Sequence, residues 1–224
     1  MSMRKVFKQV ISYLLVPLTR FYLRKERSYT YRGTTVRVNR GVFHPGLFYS
    51  TRFLLDYLSE QELDGKTILE LGCGTGLISI VAAKMNAKVT ASDVSVNAIN
   101  NIMRNCLLNT VHVEIIHSDL FDKIPVQPFQ WIVINPPYYV GEPKDESQFA
   151  WYCGEDFNYF RKLFPSLKNY CKSDSVVVMV LTKGSDVQAI QRIGLSHGVE
   201  FVLLRENAVL FDEKDFLFQL IFHR

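Results

Sequence analysis

The sequence has few of the residues that mark disulfide-rich or metal-binding proteins. Among its 224 residues are four cysteines and five histidines. The cysteines show no C-x-x-C pair and no metal-ligand spacing: Cys73, Cys106, Cys153 and Cys171. We therefore expect reduced thiols in an intracellular, cytoplasmic protein, and no metal site. Internal repeats and low-complexity segments are also absent. The 48% hydrophobic content suits one packed domain with a modest appendage.

Long apolar runs are missing as well. The most apolar stretch near the start, Val10–Leu18, is too short to span a bilayer, contains Pro17 and is followed by Arg20. It also lacks the small-residue cleavage site of a signal peptide. We therefore expect a chain without a transmembrane segment.

Acidic residues are scarce in the first forty positions. Residues 1–40 contain ten Lys or Arg and one acid, Glu26, which gives a local charge of +9. The whole chain carries +4, so the remainder carries −5. Apolar residues recur there at helical spacing: Val6, Phe7, Val10, Ile11, Leu14 and Leu15. We predict a short basic helical arm over residues 1–40, ahead of a larger domain over residues 41–224.

Two roles for this arm stay open. Its charges could bind an anionic partner, which would be RNA, a ribosome or a membrane surface. Its apolar side could equally dock on its own domain and leave the charges in solvent. The two roles are compatible with each other.

Strands and helices alternate along the larger domain. The predicted strands are Thr67–Leu71, Lys88–Ser92, Val111–His117, Trp131–Ile134, Ser175–Leu181, Val199–Arg205 and Phe216–Phe222. The predicted helices are Arg52–Leu58, Gly76–Met85, Ser95–Leu108, Asp156–Tyr170 and Asp186–Ser196. This order predicts an α/β fold with a doubly wound, mostly parallel seven-stranded sheet. No helix separates the last two strands, so we expect them to pair antiparallel.

Before this alternation, Tyr29–Val38 has a strand-like pattern, and we expect it to form a hairpin with the segment after Val38. Ser50 or Thr51 is the expected cap of the first helix.

A glycine loop, Gly72-Cys73-Gly74-Thr75-Gly76, stands between the first strand of the domain and a helix. Glycine permits a tight turn and a close backbone approach, which places a ligand near the amino end of the helix. Asp93 follows the next strand, where a carboxylate can bind both ribose hydroxyls of an adenosine. Glu70, two positions before the first glycine, could hold an ammonium group. The G-x-G-x-G spacing differs from the G-x-G-x-x-G of dinucleotide enzymes.

A second motif, Asn135-Pro136-Pro137-Tyr138, ends the apolar run Trp131–Ile134. Two prolines cannot continue a strand ladder, so the chain leaves the sheet in a stiff turn. The Asn135 Oδ1 and the Pro136 carbonyl can accept hydrogen bonds from a planar amino group, and Tyr138 can stack on its face. The alternative interpretation is a plain Asn-Pro turn after a strand.

In this order the two motifs resemble the Rossmann-like S-adenosylmethionine-dependent methyltransferases. The Asn-Pro-Pro-Tyr motif is similar to that of their amino-methylating branch, which includes release-factor glutamine methyltransferases and adenine methyltransferases. The resemblance covers residues 42 to 224 and implies an antiparallel last strand. It implies that S-adenosyl-L-methionine is held by Glu70, Gly72, Gly74, Gly76, Asp93, Asp119, Leu120 and Asn135. It implies that the catalytic residues are Asn135, Pro136, Pro137 and Tyr138.

The same resemblance assigns further roles. Asp119 would bind the adenine amino group, and Leu120 would lie against the adenine ring. Phe48, Ser50 and Thr51 would line the site; the alternative is a loop packed by its own aromatic side chains.

The resemblance implies an enzyme that methylates nitrogen, on either a glutamine of a translation protein or an adenine of RNA. The segment Ala150–Gly154 is similar to a Gly-Gly segment of the release-factor enzymes, but Cys153 replaces one glycine. The basic arm stands where those enzymes commonly carry a helical domain that docks the release factor, so both substrates stay open. Two other hypotheses remain: a non-catalytic RNA- or ribosome-binding module, and an NAD-dependent oxidoreductase. We expect a monomer.

Overall fold

The computed structural model describes residues 25–207 and 214–222. The helix predicted around residues 6–15 lies outside these residues. The described part contains a two-stranded hairpin and a seven-stranded sheet with helices on both faces. Within it, no helix is long and apolar enough to cross a bilayer.

The bounds of the elements follow the predicted alternation. The hairpin strands are β1 (Arg27–Tyr31) and β2 (Thr34–Val38). The sheet strands are β3 (Thr67–Leu71), β4 (Lys88–Asp93), β5 (Glu114–His117), β6 (Phe129–Ile134), β7 (Cys171–Thr182), β8 (Val199–Asn207) and β9 (Asp215–Phe222). The helices are α1 (Tyr49–Leu58), α2 (Leu77–Lys84), α3 (Val96–Asn109), α4 (Asn158–Leu167) and α5 (Val187–Ser196). Short 3₁₀ turns lie at Glu146–Gln148 and Lys168–Tyr170.

The strand order across the sheet is β5-β4-β3-β6-β7-β9-β8. Strands β3 to β7 pair in parallel, whereas β9 pairs antiparallel with both β7 and β8. This confirms the predicted α/β sheet and its antiparallel last pair. The chain runs outward from β3 to β5 and then returns to β6 on the other side of β3. Ligands of open α/β sheets bind at such a reversal, beyond the carboxyl ends of the strands.

The central strands are buried on both faces, which explains their continuous apolar runs. Ile68 and Val133 pack in one cluster with α1, α2 and α3. Their neighbours Leu69 and Ile132 pack in a second cluster with α4 and α5. Successive strand residues face opposite sides, so each strand contributes to both clusters. Each of these side chains contributes about 1.5–3 kcal/mol through burial.

Two local predictions near the start are wrong. Helix α1 begins at Tyr49, and its N-cap Phe48 makes no side-chain capping bond. Ser50 and Thr51 are therefore buried inside the first turn and do not cap the helix. The hairpin closes within residues 27–38, because Arg32 and Gly33 adopt φ values of 42° and 82° and reverse the chain there.

The hairpin is fastened to α3 by two buried asparagines. Asn105 accepts a hydrogen bond from the Arg37 N–H at 2.8 Å and donates one to the Arg37 carbonyl at 2.8 Å. Asn101 donates to the same carbonyl and accepts from the Asn39 N–H at 2.9 Å. Residues 27–38 of the predicted helical arm are thus strands packed against the larger domain. The domain boundary at residue 40 stays a prediction.

Candidate functional site

A cavity of about 420 Å³ lies at the carboxyl ends of β3, β4 and β6. The glycine loop and the Asn-Pro-Pro-Tyr turn both line it. Of the residues predicted to hold the cofactor or to act in catalysis, all except Gly76 are part of the lining: Glu70, Gly72, Gly74, Asp93, Asp119, Leu120, Asn135, Pro136, Pro137 and Tyr138. The volume lies in the range of small-molecule pockets. The two motifs, separated by about sixty positions in the sequence, therefore face one space.

The glycine loop depends on backbone conformations that other residues adopt at a cost. Gly72, Gly74 and Gly76 have φ values of 75°, 52° and 77°. A Cβ on Gly76 would lie 2.2 Å from Ile102 Cγ1, so only glycine lets the loop pack against α3. A Cβ on Gly72 would meet nothing within 4 Å. Gly72 therefore leaves open space at the cavity, where a ligand can approach the backbone.

Asp93 fixes the loop from the end of β4. Its Oδ2 accepts a hydrogen bond from the Gly74 N–H at 2.8 Å, and its Oδ1 accepts one from the Ser95 N–H at 2.9 Å. Burial raises the pKa of Asp93, while these backbone donors lower it and nearby Glu146 raises it. Each carboxylate oxygen has further acceptor capacity. Asp93 can thus hold the loop and still accept hydrogen bonds from a ligand.

Glu70 is a buried carboxyl group near the carboxyl end of the otherwise apolar strand β3. Its Oε2 accepts hydrogen bonds from the Ser79 N–H at 2.9 Å and from the Ser79 hydroxyl. Ser79 lies in the first turn of α2, so Glu70 also caps that helix. Burial raises the pKa of Glu70 to about 8, although the Ser79 donors lower it. A cation in the cavity would favour the ionised form.

Asp119, which is predicted to bind the adenine amino group, forms an ion pair with a lysine of α4. Its Oδ2 lies 2.7 Å from Lys162 Nζ, which also lies 2.7 Å from Asp122 Oδ2. Leu120 is buried and has a φ of 50°. Both residues border the cavity, and their contacts with an adenine stay a prediction. Lys162 lines the cavity too, yet it is 43 positions from Asp119 and no local motif marks it.

The Asn-Pro-Pro-Tyr turn faces the cavity from the end of β6. The Asn135 Nδ2 donates a hydrogen bond to the Thr51 hydroxyl at 3.3 Å. This bond orients the amide and leaves Oδ1 as its acceptor atom. Tyr138 is buried, with its ring centroid 5.0 Å from that of Tyr139 in an edge-to-face arrangement. Its stacking on a substrate stays a prediction.

The segment predicted to line the site contributes in part. Thr51, in the first turn of α1, lines the cavity, as do Phe43 and Pro45 from the loop before that helix, whereas Ser50 does not. Phe48 packs instead with Phe43 and Trp151, with ring centroids 4.6–5.1 Å apart. These three rings join the loop before α1 to the loop after the Asn-Pro-Pro-Tyr turn. Phe48 therefore does not line the cavity, and the alternative interpretation, in which aromatic side chains pack the loop, holds for this residue.

The loop after the turn is closed by backbone hydrogen bonds. The Tyr139 N–H donates to the Trp151 carbonyl, and the Cys153 N–H donates to the Tyr139 carbonyl, both at 2.9 Å. Gly141 and Gly154 bond each other in both directions. The Glu142 Oε1 accepts from the Glu155 N–H at 3.2 Å, just ahead of α4. Tyr159, in the first turn of α4, also lines the cavity, although no motif in the sequence marks it.

No group of three or more His, Cys, Asp or Glu side chains is placed to hold a metal ion within residues 25–207 and 214–222.

Curated proteins with similar sequences include protein methyltransferases. The chain is 38% identical over 96 residues to a ribosomal protein L11 methyltransferase of Helicobacter hepaticus, covering 42% of this chain and 30% of that protein. It is 36% identical over 123 residues to a putative protein N5-glutamine methyltransferase of Methanocaldococcus jannaschii, covering 52% and 61%. The matches span less than two thirds of either relative.

Solved structures share the fold at low sequence identity. A 16S rRNA N2 G1207 methyltransferase of T. thermophilus, in complex with AdoMet and guanosine, aligns with a TM-score of 0.64 and 20% identity over 87% of this chain and 50% of that one. The E. cuniculi Mtq2–Trm112 complex aligns with a TM-score of 0.62 and 16% identity over 80% and 98%. The family model of the methyltransferase small domain matches residues 33–152. The chain belongs to the methyltransferase small domain family.

Proposed function

We propose that the chain is an S-adenosylmethionine-dependent N-methyltransferase that acts on a planar amide or an exocyclic amine. One observation carries the proposal. The glycine loop and the Asn-Pro-Pro-Tyr turn line the same cavity at the switch point of the sheet. An NAD-dependent oxidoreductase is disfavoured by the G-x-G-x-G spacing. A non-catalytic binding module is disfavoured by the intact Asn135 turn beside the cavity.

The residues present suit this cofactor. Gly72 leaves space at the loop for a ligand, and Asp93 has acceptor capacity for ribose hydroxyls. Glu70 is a buried acid at the cavity that suits an ammonium group. When bound, S-adenosylmethionine supplies an electrophilic methyl group on its sulfonium.

The turn would activate the acceptor nitrogen. The lone pair of an amide or aromatic amine is delocalised, which makes that nitrogen a poor nucleophile. The Asn135 Oδ1 and the Pro136 carbonyl accept hydrogen bonds from its two hydrogens, draw charge back to nitrogen and turn the lone pair outward. A fixed pair of acceptors contributes about 3–4 kcal/mol to barrier lowering. In-line positioning contributes up to about 7–11 kcal/mol.

The proposed substrate belongs to the translation machinery. A protein glutamine is favoured by the similarity to the M. jannaschii protein, which is named a putative N5-glutamine methyltransferase. An adenine of RNA is the second candidate, because residues 1–40 carry a charge of +9 that suits an anionic partner. Because the translation machinery works in the cytoplasm, we propose a cytoplasmic enzyme. We propose a monomer, which light scattering of the purified protein would check.

Transfer of a tritiated methyl group tests this function. Lysate from cells lacking the gene keeps the substrate unmethylated. The purified chain and labelled S-adenosylmethionine should label one macromolecule in that lysate. Loss of label after protease identifies a protein, and loss after RNase identifies RNA. The Asn135→Ala variant is the matched control. No label above this control, with the wild type folded and bound to S-adenosylhomocysteine, would contradict the proposal.

A further inference from the structure

Tyr159 carries a polar atom that the described protein leaves without a partner. Its hydroxyl is buried and makes no hydrogen bond with any residue that the structure describes. The rest of the residue is well held. Its N–H donates to the Cys153 carbonyl at 3.0 Å, and its ring packs edge-to-face on Phe160 at 5.2 Å. Folded proteins rarely bury a hydroxyl unpaired, because the lost hydration costs stability. The hydroxyl therefore needs a hydrogen-bond partner, which a bound ligand can supply.

The position of Tyr159 indicates where that partner sits. The residue lines the same cavity as the glycine loop. Burial raises the pKa of its hydroxyl, and the nearby carboxylates of Asp93 and Asp119 raise it further. The hydroxyl therefore stays protonated and can donate. Asp93 and Asp119 flank the end of the cavity proposed for ribose and adenine, whereas Asn135 marks the end proposed for the methyl acceptor.

We propose that the Tyr159 hydroxyl donates a hydrogen bond to an acceptor atom of the adenosine part of S-adenosylmethionine. This inference rests on the proposed function and adds a residue that contributes to cofactor affinity. Adenine ring nitrogens and ribose oxygens are acceptors that suit a neutral donor. The sulfonium and the ammonium group offer none. The carboxylate of the amino acid part is also an acceptor, but the charges of Asp93 and Asp119 act on Tyr159, and these two residues flank the end of the cavity proposed for ribose and adenine.

Calorimetric binding to purified protein tests the proposal with two ligands. S-adenosylhomocysteine has both adenosine and the amino acid part, whereas 5′-methylthioadenosine lacks the amino acid part. The Tyr159→Phe variant should bind both ligands about 5–10-fold more weakly, which is the usual effect of losing one neutral hydrogen bond. Its melting temperature without ligand should not fall, because the hydroxyl has no partner among the described residues of the free protein.

Tyr170→Phe is the matched control. The Tyr170 hydroxyl is buried and donates to the Ile124 carbonyl at 2.9 Å in the core. This variant should lose melting temperature and keep wild-type affinity for both ligands, which is the reverse of the Tyr159→Phe pattern. A structural role for Tyr159 would instead give the Tyr170 pattern.

The outcomes distinguish a failure of the Tyr159 contact from a failure of the proposed methyltransferase function. Wild-type affinity in Tyr159→Phe for both ligands would overturn the inference and leave the function intact. Weaker binding of S-adenosylhomocysteine alone would move the contact to the amino acid part and overturn the adenosine assignment. Failure of the folded wild type to bind either ligand would overturn the proposed function, and the inference with it.

Discussion

Binding of S-adenosylhomocysteine should release protons, and Glu70 should be their source. Burial raises the pKa of this carboxyl to about 8, so at pH 7 about nine in ten molecules hold it protonated. The ammonium group of the ligand favours the ionised form. Binding at pH 7 should therefore release up to about 0.9 proton, and affinity should rise about tenfold per pH unit from pH 6 to 7.5.

Calorimetry in two buffers of different ionisation enthalpy measures this release. The Glu70→Gln variant keeps an acceptor for the Ser79 hydrogen bonds but cannot ionise. It should show no proton release and a flat affinity over the same pH range. Equal proton release in the wild type and the variant would refute the assignment to Glu70. No release in a wild type that binds would refute the raised pKa or the ammonium contact.

The free energy of unfolding without ligand should also depend on the ionisation of Glu70. The pKa in the folded state lies above the ordinary value of 4.5, so the unfolded protein binds fewer protons than the folded one between these values. Stability relative to Glu70→Gln should therefore fall as pH rises from 4.5 to 8, by up to about 1.4 kcal/mol per unit. Urea unfolding at pH 5 and 7.5 checks the sign. A stability difference between wild type and Glu70→Gln that is the same at both pH values would contradict the raised pKa of Glu70.

Four further substitutions, one of them a control, have defined outcomes. Gly76→Ala should cost about 2–4 kcal/mol in urea unfolding, because a Cβ meets Ile102 at 2.2 Å in a residue with φ of 77°. Gly33→Ala is its control: φ is 82° but the space is open, so about 1 kcal/mol is expected, and equal costs would contradict the packing argument. Asp93→Ala should weaken S-adenosylhomocysteine binding at least about tenfold by calorimetry, since a carboxylate with charge-assisted hydrogen bonds is lost; unchanged affinity would contradict its role. Trp151→Ala should lower the melting temperature, because it removes ring contacts at 4.6 and 5.1 Å between the two loops over the cavity; an unchanged value would show that the rings do not fasten them.

The sheet could be predicted because its strands are buried on both faces. Ile68 and Leu69 pack on opposite sides of the sheet, so the run of apolar residues marks a parallel strand. Glycine spacing and the paired prolines mark the two turns by backbone chemistry alone. Parallel strands then bring their carboxyl ends together, which places Asp93 and Asn135 at one cavity.

Contacts between distant segments could not be predicted in the same way. The first helix begins at Tyr49 because tertiary packing buries Ser50 and Thr51, although their chemistry favours a cap. Lys162 reaches Asp119 through the docking of α4, and no spacing in the sequence encodes that distance. The sequence likewise gives no sign that the buried Tyr159 hydroxyl lacks a hydrogen-bond partner among the described residues.

Methyl transfer by Asn135→Ala, measured beside its affinity for S-adenosylhomocysteine, tests the role of the Asn-Pro-Pro-Tyr turn most directly. The variant loses the Oδ1 acceptor and the hydrogen bond to Thr51 but no part of the glycine loop. Label transfer should fall about 10²–10³-fold, the usual loss for one positioned group. Kd should change far less, because Asn135 is only one of eight residues predicted to hold the cofactor and the other seven are unchanged. Wild-type transfer by a folded Asn135→Ala variant would contradict catalysis at this turn.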